Sequence, residues 1–463
     1  MSWRAGGLRL LCTILLVLAW SCGDGERRPR NVVLITIDTL RADYVGCYGY
    51  ARAHTPHLDA LAAEGVRFAH AFSTINTTLA SHAAMLSGLH PQAAGVPRNS
   101  FPVPPDVPLV AEQLRAAGYT TAAFVSASAL HSGMGLDRGF DLYDERFTFE
   151  GDQEQRRAET TTRAVLAWLE RQPPEPFFLW VHYFDPHYPY SPPAPFDTLH
   201  GGGYRGRADG SMDYLHRIQG KKDLPRIVPG PADLQRLIDL YDGEIAYLDA
   251  WLGPLLADLG RPERRASTLL ILAADHGESM TEHDYFFDHG LDVYQPAMGV
   301  PFLVRCPPSL KVAPRVVDEP VQTHSIAPTI IAYAGLPVFE ECQGRNLLPL
   351  LCGEPVERRL AFGEASKPAE IEESAPDEYR NLYKAQMVID YPWKLVLTPY
   401  QDRVELFNLE ADPDELRSLT LEEPARVGRM SRAVLKWREG PVRRAERIDP
   451  ENERRLRSLG YIN

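Results

Sequence analysis

Five segments of the chain are apolar almost without interruption: Asn31–Ile37, Thr120–Phe124, Phe177–Phe184, Leu269–Ala274 and Pro301–Val304. A strand with one solvated face alternates apolar and polar residues. A strand buried on both faces does not, and such strands belong to parallel sheets covered by helices on each side. Helical patterns lie between the runs, at Leu58–Glu64, Val110–Ala117, Thr160–Arg171 and Leu234–Leu259, the last expected to break at Gly253-Pro254. Gly65 and Gly118 directly follow two of them and read as C-caps. The alternation predicts an α/β fold, a doubly wound and mostly parallel sheet. Residues 191–232, rich in Pro, Gly and charge, read as an excursion loop. Beyond about Leu351 short antiparallel strands are expected at Ala385–Asp390, Lys394–Leu397 and Val404–Asn408, with a helix at Val427–Trp437. The division that results is a leader over 1–21, a linker over 22–30, a main domain over 31–352 and a small C-terminal α+β subdomain over 353–463.

The leader reads as an export signal. Arg4 and Arg9 precede an apolar run, Leu10–Trp20, far short of the ~20 residues of a spanning helix and within the ~7–15 of a signal core. Ala19-Trp20-Ser21 then offers a small-x-small cleavage pattern before Cys22. Cys22 is equally a candidate for lipid attachment to a membrane, so free export to the periplasm or envelope and a lipid-anchored form both fit. Lys and Arg number 49 against 62 Asp and Glu, a net charge of −13. That balance argues against nucleic acid as a partner and leaves room for an anionic substrate in a locally positive pocket. No Cys/His zinc spacing occurs. Cys342 and Cys352 are close enough for a disulfide, and two free thiols fit as well.

The acids fall where a site is expected, since ligands of open α/β sheets bind beyond the carboxyl ends of the strands. Asp38 ends the first run, Asp275-His276-Gly277-Glu278 ends the run from Leu269, and His182, Asp185 and His187 end the run from Phe177. Two carboxylates and a histidine converging there suggest a divalent-metal site. Each Asp alone reads equally as a helix N-cap. A further segment, Asn76–Gly88, places Thr78 at the expected N-cap of a short helix closed by Gly88. A hydroxyl there faces the positive helix end, and a neighbouring metal would activate it as a nucleophile. The plain alternative is an ordinary capping Thr. Asn76-Thr-Thr is formally a glycosylation sequon, read as coincidence because it overlaps Thr78.

With these residues in view the chain resembles the sulfatase family of the alkaline phosphatase-like superfamily. The resemblance rests on NVVLITIDTLRADYVGCYG, HTPHLDALAAEGVRFAHAF, TLASHAAMLSGLHP, FFLWVHYFDPHYPY, YDGEIAYLDAWLGPLL, LAADHGE, FFDHGLDVYQPAMGVPFLV and GRNLLPLL, then WKLV and ELFNLEADPDE. It implies a sulfatase-like catalytic domain over 31–352. The family signature is Cys-x-Pro-x-Arg, whose Cys becomes formylglycine. Here the aligned residues are Thr78, Leu79, Ala80, Ser81 and His82, and Thr cannot be converted. The family's cationic Lys-Trp-His element falls on Ser126-Ala127-Ser128, the second Asp of its Asp-Asp pair on Thr39, and its Asp-Asn metal pair on Asp275-His276.

Carried over residue by residue, the resemblance implies one divalent metal (Mn, Zn or Ca) held by Asp38, Thr78, Asp275 and His276. It implies His187 and His289 on the ester oxygens, with His182 and His82 as second choices for orienting the ester or protonating the leaving group. A helix-face residue packed under the site is the plain reading of His82, and an exposed loop histidine that of His283. The function implied is metal-dependent hydrolysis of small-molecule, glycan or lipid esters of sulfate or of phosphate or phosphonate, through a Thr nucleophile. Loss of the formylglycine and of the cationic positions tips the balance toward phosphorus esters. Two alternatives are a phospho-headgroup transferase of the envelope and a non-catalytic binding protein with the same fold. N-terminal mass analysis of envelope-fraction protein should find residue 22 first, acylated in the lipoprotein case; an unprocessed Met1 in the cytoplasm refutes export.

Overall fold

The computed structural model describes residues 30–150, 153–221, 224–368 and 381–445, with 448 and 454. The leader, Cys22 and most of the acidic stretch 364–379 lie outside the described residues. Eight strands form the main sheet: β1 Asn31–Ile37, β2 Val66–Phe68, β3 Thr120–Phe124, β4 Leu142–Asp144, β5 Phe177–Tyr183, β6 Thr268–Ala274, β7 Phe302–Arg305 and β8 Arg315–Val317. Their order is β8-β2-β7-β6-β1-β5-β3-β4. The three central strands β1, β5 and β6 are buried along their whole length and pair in parallel, which is why their sequences do not alternate. Helices cover both faces, among them α1 Pro56–Glu64, α2 Thr78–Ser87, α3 Val110–Ala116, α4 Ala158–Glu170, α5 Met212–Gln219 and α6 Pro231–Leu259.

Three expectations are corrected. The run at Pro301–Val304 forms β7, but it pairs with β6 antiparallel. After Ala274 the chain stays at the carboxyl edge, with Ala274 N donating to Pro301 O. It therefore re-enters the sheet from that edge and must run backward. Helix α6 does not break at Gly253-Pro254 but continues for 29 residues with Pro254 inside it. The carbonyl that Pro254 leaves without a donor is that of Ala250, and both residues are exposed, so water can satisfy it. The excursion 191–232 contains α5, whose N-cap Ser211 accepts from Tyr214 N. Gly118 does take a left-handed φ of +90° after α3, whereas Gly65 after α1 is extended. Cys342 and Cys352 are free thiols. No helix among the described residues is long and apolar enough to cross a membrane.

The C-terminal part forms an antiparallel sheet of β9 Ala361–Glu364, β10 Gln386–Asp390, β11 Trp393–Thr398 and β12 Arg403–Asn408, with α7 Pro424–Arg438. Its side chains alternate as an antiparallel sheet requires. Val388, Leu395 and Leu406 pack on Met430 and Val434 of α7, while Met387, Ile389, Val396 and Phe407 pack on Phe72, Tyr294 and Met298 of the main body. The backbone of β9 also reaches the segment that leads into α2, through a bridge between Ile75 and Glu364.

Helix α2 ends at Gly88, with φ +76°, and a Cβ built there would lie 2.5 Å from Cys342 Sγ. Gly88→Ala should therefore cost about 2–3 kcal/mol, combining left-handed strain with a forced shift of the thiol. Gly118→Ala, also left-handed but in open space, should cost only about 1–2 kcal/mol. Denaturant midpoints of the two variants make the comparison; equal losses would show that the contact with Cys342 is unimportant.

Candidate active site

The register of the central strands builds the site. Ile37 pairs with Tyr183 on one side and Ala274 on the other. The next residues, Asp38 and Asp275, are therefore neighbours just beyond the sheet edge. Asp38 N donates to Tyr183 O at 2.9 Å and Asp275 N to Ile37 O at 3.2 Å. Asp275 Oδ1 accepts from His276 N at 2.7 Å and from Thr39 N at 3.2 Å, which leaves Oδ2 without a partner. The His276 ring donates from Nδ1 to Gly277 O at 2.9 Å, so its Nε2 carries the lone pair. That Nε2 lies 3.5 Å from Asp275 Oδ2 and 3.9 Å from Asp38 Oδ1. Ligand atoms of Asp38, Asp275 and His276 all fall within 4.8 Å of one another.

All three side chains are fully buried. Burial pushes the Asp38 carboxyl well up, and the charge of Glu278 adds to it; burial and then Asp38 do the same to Asp275. Burial and nearby histidines hold the His276 ring neutral. Both Asp38 oxygens, Asp275 Oδ2, His276 Nε2 and Thr78 Oγ1 lack hydrogen-bond partners in the structure. So many orphaned acceptors in one dry place are costly by themselves. They fit a divalent cation, which would satisfy the lone pairs and return both carboxyls to their ionised form. Hard oxygens with one imidazole suit Mn²⁺ or Zn²⁺ at least as well as Ca²⁺.

Thr78 was expected at the N-cap. Thr77 takes that place with an extended backbone, and Thr78 is the first helical residue of α2. The difference matters, because the Thr78 hydroxyl is not used in capping; it lies beside Asp38, where it offsets a part of the upward push of burial and Glu278. The exposed donor of the helix start is met instead by Asn99, whose Oδ1 accepts from Leu79 N at 2.8 Å. Ser81 Oγ ties the same helix to the metal strand by donating to Asp275 O at 2.7 Å. His82 lies under the helix with both ring nitrogens engaged, Nδ1 with Thr78 O at 2.7 Å and Nε2 with Thr36 Oγ1 at 3.0 Å. It holds the Thr78 backbone at the start of α2. His182 accepts at Nδ1 from Ser126 N, directs Nε2 toward Asp38 Oδ2 at 3.5 Å and has its pKa pushed down to about 3 by burial.

His187 and His289 do come together, their ring centres 5.3 Å apart, and His289 lies 4.5 Å from His276. His289 Nδ1 donates to Glu278 Oε1 at 3.0 Å, and burial lowers its pKa to about 3. Glu278 is fully buried. Its place in Asp275-His276-Gly277-Glu278 was the only sequence signal for it, and no role followed from that. Asp185, grouped with the site by sequence, instead accepts from Ala158 N at the start of α4. His283 is half-buried rather than exposed and stacks on Tyr294 at 3.6 Å. Asn76 is buried, donates to Asp292 O and accepts from Ser366 N, so its sequon is not accessible to a glycan. Sequence reasoning also missed Lys221 and Lys367, whose ammonium groups flank Asp288 beside His289.

A family model described as Sulfatase matches residues 30–336, and one for the C-terminal part of N-sulphoglucosamine sulphohydrolase matches 281–430. An uncharacterized sulfatase of Escherichia coli is 24% identical over 85% of this chain and 83% of its own length. Human N-sulphoglucosamine sulphohydrolase is 29% identical over 74% of this chain and 70% of its own. Among solved structures, a phosphonate monoester hydrolase from Silicibacter pomeroyi superposes with a TM-score of 0.72 at 24% identity, covering 89% of this chain and 96% of that one.

Because the folded pKa values of Asp38 and Asp275 are raised, the cation-free fold holds protons that the unfolded chain releases above about pH 4. Its stability should fall as pH rises from there through the raised folded values. Asp38→Asn should remove much of this dependence and raise the melting temperature of chelated protein at pH 8 by roughly 2–4 °C. Added Mn²⁺ should stabilise the parent chain and barely affect the variant. Thermal melts at pH 5 and pH 8, with and without chelator, make the check; a variant that melts below its parent throughout contradicts it.

Proposed function

Because the chain belongs to the sulfatase family, whose members are metal-dependent ester hydrolases, we propose that it cleaves phosphate or phosphonate monoesters, and sulfate esters less well, with Thr78 as nucleophile. The observation that carries this reading is the buried cluster of unpartnered atoms at Asp38, Asp275, His276 and Thr78. A divalent ion held there would supply Lewis-acid polarisation and lower the effective pKa of the hydroxyl. Thr78 Oγ attacks phosphorus or sulfur, the alcohol leaves, and an ester forms on Thr78. Water then cleaves that ester. His289, whose Nδ1 is held by Glu278, and His187, whose Nδ1 is held by the Tyr188 carbonyl, turn Nε2 toward the ester; each donates to an equatorial oxygen once the anionic ester beside it has drawn a proton from solvent onto that nitrogen. His182 orients Asp38, and His82 fixes the first turn of α2.

The names of the similar proteins support both ester types, a phosphonate monoester hydrolase on one side and sulfohydrolases on the other. Thr78 in place of the formylglycine cysteine favours phosphorus. The aldehyde-hydrate route has no counterpart here, whereas an alcohol nucleophile serves either ester. Export, freely or by a lipid on Cys22, remains part of the proposal.

Thr78→Ala should lower turnover by at least about 10³-fold while the melting temperature stays near that of the parent. His276→Asn should shift the preferred metal from Mn²⁺ or Zn²⁺ toward Ca²⁺. A panel of aryl sulfate, phosphate monoester, phosphate diester and phosphonate substrates, run with each metal, reads both. Full activity of Thr78→Ala would sink the nucleophile assignment. Aryl sulfates cleaved fastest, with Ca²⁺, would overturn the ester and metal preferences. Running the panel with an added acceptor alcohol separates hydrolysis from transfer.

A further inference from the structure

A cavity of about 240 Å³ has, among the described residues, Lys221, Arg226 and Lys367 in its wall against two carboxylates, Asp284 and Asp288, the second of them next in sequence to His289. In a chain of net charge −13 this is a local reversal of sign. It is also built rather than incidental. Lys221 Nζ lies 2.6 Å from Asp288 Oδ2 and Lys367 Nζ 3.1 Å from Asp288 Oδ1, so one carboxylate holds two ammonium groups side by side. The carboxylate is the inner member, 4% exposed, and the lysine side chains are the outer ones, 19% and 22% exposed. Burial alone would push the Asp288 carboxyl up, but the two lysines outweigh it and hold it well below the usual range. Asp288 is therefore ionised between two amines; burial pushes the Lys367 amine down and the Asp288 charge works against that.

Each ammonium has three donors. Lys221 gives one to Asp288; Lys367 gives one to Asp288 and one to His289 O at 2.8 Å. Among the described residues, donors remain on both for a ligand. Two residues of the cavity wall, Lys367 and Tyr285, both donate to the His289 carbonyl at 2.8 Å, and the His289 ring lies 4.5 Å from that of His276. The volume is below the ~300 Å³ lower end of pockets for drug-sized ligands, enough for one ring-sized group. Phe286 and Pro368 supply apolar wall for the body of such a group.

We propose that Lys221 and Lys367 form a second anion subsite that selects esters whose alcohol part carries its own negative charge, a carboxylate or a further sulfo group, one ring away from the ester that is cleaved. This rests on the ester-hydrolase reading above and names its substrate class.

The test uses three phosphate monoesters alike around the ester, those of 4-cresol, 4-hydroxyphenylacetate and 4-hydroxyphenylmethanesulfonate. Calorimetry of the full-length Thr78→Ala protein with Mn²⁺ gives binding without turnover. One or both anionic esters should bind about tenfold tighter than the cresyl ester, a gain of the size expected for a charge-assisted contact in a partly open site. Whichever gains identifies carboxylate or sulfo group as the better fit. Adding Lys221→Met or Lys367→Met should bring the ratio to within about twofold of unity while cresyl ester binding changes little. Equal affinity for all three, no binding of the anionic pair, or a preference that survives both lysine variants would overturn the proposal. Turnover of the cresyl ester by the parent chain reports separately on the catalytic reading. Melting curves of the variants confirm that they are folded.

Discussion

The parallel pairing of β1 with β5 and β6 is the constraint on which the rest of this molecule depends. It fixes Ile37, Tyr183 and Ala274 at one level, and the residues that follow have no choice but to emerge together. Two of them are aspartates. A sheet edge that brings two carboxyls into a dry space stores unfavourable electrostatics there, and the surrounding fold must be stable enough to hold it. The fully buried, mostly apolar central strands supply that stability, and helix α2, buried at every position, packs against the space. The hydroxyl of Thr78, the imidazole of His276 and the two aspartates are placed by backbone geometry rather than by flexible side-chain reach.

Much of this was legible in the sequence because it follows from patterns with a physical cause. Uninterrupted apolar runs identify doubly buried strands, and an acid at the end of such a run points to the carboxyl edge. Asp38, Asp275 and His276 were accessible in that way, and the structure brings them together; Thr78 came instead from the start of a helical segment and from the family resemblance. Failures came where tertiary context overrides local rules. Pro254 reads as a helix breaker, yet the carbonyl it orphans faces water and the helix continues. Pro301–Val304 reads like any parallel strand, and only the path of the preceding loop reverses it. The N-cap assignment slipped by one residue because both Thr77 and Thr78 suit that position.

The groups that sequence missed share one property: their roles exist only through side-chain contacts that the folded chain creates and no local pattern announces. Glu278 matters because His289 packs against it, and nothing in the intervening loop announces that contact. Lys221 and Lys367 stand 146 positions apart and meet at Asp288. No composition argument finds a positive spot on an acidic chain when its members come from three separate segments. Conversely, Asp185 looked like a member of the constellation by position alone, yet it spends itself on the first turn of α4.

The contact between Asn76 and Ser366 has a consequence for how such a chain can evolve or be cut. Asn76 leads into α2 and Thr78, and its side chain is shared between the Asp292 carbonyl and the Ser366 amide. Ser366 follows β9, a strand of the small sheet, and its neighbour Lys367 closes one side of the cleft. The last hundred residues are thus not a passenger that could be shed or exchanged for another module at the sequence boundary near 352. Any recombination there would sever the support of the loop that carries Thr78. Inheritance of the two parts is coupled, and they are expected to diversify as one unit.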